Sequence, residues 1–322
     1  MQKIKKTAVL LLLFGVFFSS CEKQHGQDPK RCMNEAELLS QLRAYNDSLM
    51  RQEKTITKSP NWRNVAQVAI ADITGAKEGA KYGGRLGARI GTLLGSPIYG
   101  AATGALVGGV AVGALFSYLA YEDEGMIIYE NRPPFDSIYN EILLSTSLVL
   151  LERNNDFVID ENTHLIDTTY NIVTDGIIPS DQIDFPAEDE DFVFVGVGHN
   201  IALEEVLEPE AAQIDSSFLF ILPDLESQIL LSQDLRSVMQ AIYLGENDGE
   251  EVASISDNII ESFIEAYIIS SEGDVINIAN DYLDIIIESQ VLTEEEENAV
   301  CAALSVAVNT HFFWSSRLSG GE

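Results

Sequence analysis

Histidine is the side chain whose charge changes near neutral pH, and this chain has few histidines. The four histidines are His25, His164, His199 and His311. None of them stands at a spacing from another ligand that is typical of a zinc site. His199 stands out because Asn200 follows it directly and Glu204 lies about one helical turn further along. A polar pair at the start of a helix can present side chains and free backbone N–H groups to a ligand, so these three residues form a candidate site.

Two interpretations of this candidate site stay open. Catalysis would need a nucleophile or a metal ion beside it, and the chain contains no GxSxG elbow, P-loop or CxxC motif. The alternative is structural, with Asn200 capping the helix and His199 packed against its neighbours. The sequence favours the structural role, and therefore a protein that is not an enzyme. An envelope enzyme that uses His199, Asn200 and Glu204 is the rival hypothesis.

Carboxylates are the other group with chemical potential, because the chain has 51 acidic residues. None of them falls into an EF-hand loop with its glycine and terminal glutamate. The acidic loops at 188–191 and 246–251 could bind a divalent cation weakly, although a solvated acidic loop is the default interpretation. We therefore expect no resident metal and no cofactor.

The N-terminus carries the features of an export signal. Three lysines precede the apolar run Ala8–Phe18, which is too short to be a comfortable membrane span. Phe18-Ser19-Ser20-Cys21 resembles the lipobox of bacterial lipoproteins. The resemblance implies cleavage after residue 20 and acylation of Cys21, and Glu22 in place of aspartate implies sorting to the outer membrane. An uncleaved N-terminal anchor is the alternative.

Cys32 and Cys301 remain if lipid occupies the first cysteine. An exported protein could join them in a disulfide. Cys301 lies in an apolar helical pattern, however, and in that setting a buried free thiol is the commoner outcome. Both states stay open, and the sequence favours the thiol.

Glycine recurs at every fourth position through two segments that otherwise read as helices. The glycines of these two series are Gly75, Gly79, Gly83, Gly87, Gly91 and Gly95, then Gly100, Gly104, Gly108 and Gly113. Each interior glycine costs a helix about 1 kcal/mol relative to alanine. Glycines four apart remove the side chains from one ridge, so another helix can approach closely and offset that cost. With Ser96-Pro97 between the series, the pattern predicts an antiparallel hairpin.

The first glycine helix also has a basic face. Lys77, Lys81, Arg85 and Arg89 are four apart and lie about 200° around the helix from the glycines. Three interpretations of this face stay open: it is solvated, it lies on anionic lipid headgroups, or it docks on the acidic part of the chain. The second helix has no charge from Ile90 to Tyr121, so it could contact a membrane, associate with copies of itself or lie in a protein core.

A lipobox cysteine followed by two glycine-ladder helices resembles the glycine-zipper outer-membrane lipoproteins. The match covers residues 1–21 and about 73–121. The rest of the chain resembles extended lipoproteins of Bacteroidota from uncharacterised families, which share Gly198-His199-Asn200 and an aromatic ending such as Phe312-Phe313-Trp314. The resemblance implies a lipid-anchored envelope protein, and it implies no activity.

Charge divides the chain into two parts. Residues 21–121 hold 12 basic and 8 acidic residues, whereas residues 122–322 hold 4 and 43. The acidic part repels itself and lacks the cations that bind phosphates, so we expect an unidentified cationic or protein partner and no nucleic acid.

The predicted fold is mainly α-helical. Its parts are a signal peptide at 1–20, a tether and amphipathic helix at 21–60, a glycine-zipper hairpin at 61–121 and an acidic helical module at 122–322. The amphipathic helix at 35–55 either packs on its own domain or forms a coiled coil with a partner, and 192–195 reads as a short β-like segment. The leading hypothesis is a non-enzymatic envelope lipoprotein whose hairpin mediates membrane association or self-association and which displays an acidic binding module. A membrane-active antibacterial or pore-forming protein is the second alternative.

Overall fold

The computed structural model describes residues 33–52, 62–94, 97–123, 134–140, 142, 179–187, 189–207, 225–244, 254–270 and 274–319. These residues are mainly α-helical, and no β-strand occurs among them, so the predicted fold class is confirmed at that level. The predicted signal peptide, the tether before residue 33, Cys21 and Cys32 lie outside the described residues.

Eight helices carry the fold, with a further short helical stretch at 135–140. They are α1 Glu35–Gln52, α2 Trp62–Leu94, α3 Pro97–Asp123, α4 Val193–Leu207, α5 Leu225–Leu244, α6 Ile255–Ile269, α7 Val275–Ser289 and α8 Glu294–Ser319. Two 3-10 helices, Pro179–Gln182 and Glu190–Phe192, lie before α4. The apolar periodicity of the sequence predicts helices at 225–244 and 275–289, and the bounds of α5 and α7 agree with it.

The start of α8 shows how local sequence sets a helix boundary. Thr293 donates its backbone N–H and its hydroxyl to Glu296 Oε2 at 2.9 and 2.8 Å. Glu296 in turn donates its backbone N–H to Thr293 Oγ1 at 3.4 Å. This exchange satisfies free backbone groups of the first turn, and four glutamates there complement the helix dipole. Thr293 followed three residues later by Glu296 is the sequence pattern that predicts a capping box, and the structure confirms it.

The helix α1 packs on the rest of the chain. Leu38 and Leu42 are completely buried, and the Asn46 side-chain amide donates to Ser262 O of α6 at 2.9 Å. Of the two interpretations of this amphipathic helix, the structure shows packing on its own compact unit.

The predicted β-like segment at 192–195 is wrong. Phe192 ends a 3-10 helix, and α4 begins at Val193. The run Phe-Val-Phe-Val is apolar because α4 packs between α3 and α8, which buries Val193, Val195 and Val197 on successive sides of the helix. A short apolar run bounded by polar residues fits a buried helix as well as a strand, so periodicity alone could not separate the two.

The antiparallel pair α2 and α3 lies in the core of the compact unit Met33–Glu322. α8 packs along α2, and α4 packs on α3 and α8. Tyr118 of α3, Leu203 of α4 and Leu304 of α8 are fully buried members of one hydrophobic cluster. This core continues across residue 121, so hairpin and acidic helices are packed together. The division into a hairpin at 61–121 and an acidic module at 122–322 stays a prediction.

Candidate functional site

The hairpin brings glycine against glycine at its centre. A Cβ atom added to Gly83 would overlap the carbonyl oxygen of Gly104, and a Cβ added to Gly104 would overlap that of Gly83. Gly79 and Gly108 have the same reciprocal relation one turn away. The two backbones therefore meet at distances that no larger residue permits, which is the contact that four-residue glycine spacing favours.

The other ladder glycines extend this seam in both directions. A Cβ on Gly75 would lie 2.6 Å from Cβ of Phe116, and one on Gly113 would lie 3.1 Å from Cδ2 of His199. A Cβ on Gly104 would also lie 2.9 Å from Cα of Gly87. Gly91 belongs to α2 and Gly100 to α3, while Gly95 lies outside the described residues.

The basic face of α2 is docked on acidic helices for most of its length. Lys77 Nζ lies 2.5 Å and Lys81 Nζ 3.3 Å from the same oxygen, Oδ1 of Asp257. Both lysines are buried although they carry charge. Arg85 Nε donates to Glu295 Oε1 at 2.7 Å in a more exposed pair, and Arg89 is exposed. Of the three predicted interpretations, docking on the acidic part holds for the two lysines and Arg85, and exposure to solvent holds for Arg89.

Asp257 joins this contact to the start of α6. Its Oδ2 accepts the Ser254 backbone N–H at 2.6 Å and the Ser254 hydroxyl at 2.8 Å. Burial opposes the charge of Asp257, but hydrogen bonds from Lys77 and Ser254 outweigh it, so the pKa of this carboxyl is lowered. Burial also opposes the charge of Lys77, and hydrogen bonds to Asp257 and Glu78 outweigh it, so the pKa of this ammonium is raised. The contact therefore holds both partners in their charged forms.

A buried polar cluster lies where α2, α3, α4 and α8 meet. Asp72 of α2 is fully buried, and its Oδ2 accepts hydrogen bonds from the Thr310 hydroxyl and, at 3.0 Å, from Trp314 Nε1. His199 Nε2 lies 3.9 Å from the same oxygen. Burial raises the pKa of Asp72, although His199, the Ser117 hydroxyl and the two donors of α8 act in the opposite direction. The cluster is a site where charge and proton position are tightly constrained.

His199 and Asn200 lie inside α4 and not at its start. Because α4 begins at Val193, the pair stands in the second turn, and Asn200 caps no helix end. His199 is completely buried, its Nδ1 lies 3.0 Å from Asn200 Oδ1, and Asn200 Nδ2 donates to Asn309 O at 3.1 Å. Glu204 is partly buried one turn further along. The prediction of a polar pair at a helix start is therefore wrong, whereas a packed His199 is what the structure shows.

The glycine before this pair serves helix packing as well. A Cβ on Gly196 would overlap Nδ2 of Asn309 and the backbone oxygen of Ser305. The Gly196 backbone N–H also donates to Ser305 Oγ at 2.9 Å. The motif at 196–200 therefore reads as the crossing point of α4 and α8.

Asp72 is the member of the cluster that the sequence analysis did not single out. Its signal is a lone acidic residue on the buried stripe of α2, one turn from Val68 and from Ala76. Asp257 carries the ordinary signal of an acidic third residue after a serine cap. Its role as partner of two lysines about 180 positions away had no local signal.

Cys301 is a free, buried thiol, and burial raises its pKa. This agrees with the favoured interpretation of that residue. Within the described part of the chain, no group of three or more His, Cys, Asp or Glu side chains is arranged to hold a metal ion. Weak cation binding by the acidic loops stays a prediction. Residues 188 and 246–251 of these loops lie outside the described residues.

One segment of α3, Thr103–Tyr121, is long and apolar enough to cross a membrane, and 83% of the 18-residue window that meets this test is buried inside the structure. A core helix of a soluble protein has the same properties. No protein-family model, curated protein or solved structure matches this chain.

Proposed function

We propose that the protein is a non-enzymatic cell-envelope lipoprotein of the Bacteroidota type, anchored through Cys21 in the outer membrane. In this proposal the glycine-zipper hairpin is the internal scaffold, and the acidic helices packed on it form the surface that binds a basic protein partner. The full burial of His199 beside Asn200 supports a structural role for that pair, since a substrate could not reach the ring without rearrangement of the core.

The observation that carries the proposal is that two opposite faces of α2 are already occupied inside the chain. The glycine face meets α3, and the basic face meets Asp257 of α6. Self-association or lipid binding through these faces would require the hairpin to leave its present contacts. Among the described residues, the outer side of α6 and α7 is a surface that these contacts leave open to a partner. Its exposed acidic residues are Glu261, Glu265, Asp281, Asp284 and Glu288.

The lipid anchor is tested by metabolic labelling with a fatty acid. We expect label in the wild-type chain and none in the Cys21→Ser variant, because acylation needs that thiol. Cell fractionation of the same strains should place the wild type in the outer membrane. Equal labelling of both chains would reject the anchor.

Partner binding is tested with matched charge variants of the full-length chain. One variant replaces the five exposed acids of α6 and α7 by their amides. The control replaces five acids on other exposed surfaces, so that net charge is the same. We expect a basic envelope protein to be captured by the wild type and the control but not by the first variant. Equal capture by all three chains would contradict a binding surface on α6 and α7.

A membrane-active protein is the second candidate, and the apolar segment Thr103–Tyr121 of α3 favours it. The same hairpin carries charged side chains on α2, and each would cost roughly 2.5 kcal/mol or more near the centre of a bilayer. Our proposal therefore predicts no release of dye from anionic liposomes. Leakage that requires α3 would support the second candidate instead.

A further inference from the structure

We propose that the buried pair of Asp72 and His199 holds one proton beyond the one on His199 Nδ1, and that this proton makes the docking of α2 on α4 and α8 depend on pH. The inference does not depend on the lipid anchor or on a partner. It uses residues inside the core, away from the acidic surface of α6 and α7.

The hydrogen-bond chain around His199 fixes which ring nitrogen carries hydrogen. Asn309 O is a backbone carbonyl and can only accept, so Asn200 must present its amide nitrogen to it. Asn200 Oδ1 then faces His199 Nδ1 at 3.0 Å and must accept from it. The proton of a neutral His199 is thereby held on Nδ1, and its Nε2 turns a lone pair toward Asp72.

The carboxyl group of Asp72 faces this Nε2 atom. Oδ2 of Asp72 lies 3.9 Å from Nε2 of His199 and already accepts from Thr310 and Trp314. Neither Oδ1 of Asp72 nor Nε2 of His199 has a hydrogen-bond partner among the described residues. A carboxylate facing a neutral imidazole would thus place two acceptors against each other in a dry site, with an unbalanced negative charge.

One added proton removes this conflict, whereas two would leave the opposite charge unbalanced. With one proton the pair is either an imidazolium beside a carboxylate or a neutral imidazole beside a carboxylic acid, and its net charge is zero. With two protons a positive charge is buried without a counterion. Besides His199, the side chains that act most strongly on Asp72 are the Ser117 hydroxyl of α3 and the donors Thr310 and Trp314 of α8, and all three are neutral.

The unfolded chain holds its protons differently. Free aspartate and histidine titrate near 3.9 and 6.5, so above about pH 6.5 the unfolded pair holds no proton, whereas the folded pair holds one. Folding then takes up a proton, and stability falls as pH rises. A neutral amide at position 72 removes the need for this proton because it carries no charge, and its oxygen can still accept from Thr310 and Trp314.

The experiment measures urea unfolding of the full chain and of Asp72→Asn between pH 6.5 and 8.5. We expect the ratio of the wild-type folding constant to that of the variant to fall about tenfold for each pH unit. The other acids are the same in both chains, so their contribution to the pH dependence cancels in the ratio. Asp257→Asn serves as the control. The free energy of unfolding of this variant should change with pH as steeply as that of the wild type. A ratio that does not change with pH would overturn the proposal.

A second measurement covers the case in which Asp72→Asn does not fold. At pH 8, nitrogen-15 spectra of the wild-type histidine rings, assigned with His199→Gln, report the protons on Nδ1 and Nε2, and the carbon-13 shift of the Asp72 carboxyl reports its ionisation. We expect Nδ1 of His199 to be protonated, together with one further proton on either Nε2 or the carboxyl. An ionised Asp72 carboxyl beside an unprotonated His199 Nε2 would overturn the proposal.

Discussion

At the residue scale, two adjacent glycines of α2 have opposite surroundings. Gly83 faces α3, where an added Cβ would overlap the carbonyl oxygen of Gly104. Gly84 points beside the seam, and a Cβ there would lie 3.6 Å from Ala101 O and 3.7 Å from Ala105 Cβ, which are ordinary contacts. The same substitution at neighbouring positions therefore separates helix propensity from helix packing.

We expect Gly83→Ala to destabilise the fold by about 1–3 kcal/mol, because the clash with backbone atoms outweighs the gain in helix propensity. Gly84→Ala should be neutral or stabilising by up to about 1 kcal/mol, since it gains propensity without a clash. Urea unfolding of the two variants measures both changes. If both substitutions change the free energy of unfolding equally, the glycines are not needed for close contact between the helices.

The lysines that meet Asp257 give a second prediction at this scale. Asp257→Asn removes the charge between Lys77 and Lys81 while it keeps the shape of the side chain, so two buried ammonium groups lose their partner. We expect a loss of about 3 kcal/mol in the free energy of unfolding. Glu295→Gln, which breaks the exposed pair with Arg85, should cost less than about 1 kcal/mol.

The pH dependence of this contact follows from the lowered pKa of Asp257. A carboxyl whose pKa is lower in the folded state contributes stability above its unfolded pKa, near 3.9, and loses it as pH falls through the folded value. The difference in stability between wild type and Asp257→Asn should therefore shrink below about pH 4. If the difference in stability between the two chains stays constant down to pH 2, the charge of Asp257 does not cause it.

Residue spacing predicted the faces of α2 but not their partners. Four-residue spacing is a local property, so the glycine and basic faces could be inferred from the sequence. The partners Asp257 and Thr310 are about 180 and 238 positions from the residues they contact. Asp72 is one of 51 acids, and its full burial where α2 meets three other helices distinguishes it from the acids on the surface.

At the scale of elements, long periodic helices were predictable and short apolar ones were not. The apolar residues of α5 and α7 recur at helical spacing, and Pro223, the polar run 245–249 and Gly273 flank the two helices, so their bounds follow from pattern alone. The first turn of α4 is apolar on successive sides because α3 and α8 cover it, so the start of this helix was mistaken for a β-like segment and His199-Asn200 was predicted at the helix start. α1, in contrast, is amphipathic, so its apolar spacing was enough to predict it as a helix.

α1 gives a prediction about elements, because one of its faces is buried and the other is not. Leu42 is fully buried, whereas the side chain of Met50 is 51% exposed. We expect Leu42→Ala to cost about 2–5 kcal/mol and Met50→Ala less than about 0.5 kcal/mol. Thermal unfolding followed by circular dichroism measures both. Two small effects would indicate that α1 does not pack on the chain in solution.

At the scale of the whole molecule, charge is the dominant feature. The full chain has a formal net charge of −32 at pH 7, and the basic residues that offset it are concentrated before residue 122. Some of them lie inside the fold, where Lys77 and Lys81 are buried beside a carboxylate. The outer helices are left with many acids and few cations, so the folded state repels itself at long range.

Salt should therefore stabilise this protein, although it weakens most surface ion pairs. Repulsion among exposed carboxylates acts over distances that exceed the Debye length of about 10 Å at 0.1 M salt, whereas the buried contacts of Asp257 are screened less. We expect the midpoint of thermal unfolding to rise between 10 mM and 0.5 M NaCl. Replacement of Glu261, Glu265 and Glu288 by glutamine should raise the midpoint at low salt and leave it nearly unchanged at high salt, because salt has already removed the repulsion there. An equal gain at both salt concentrations would mean that these substitutions act through helix propensity or packing and not through charge.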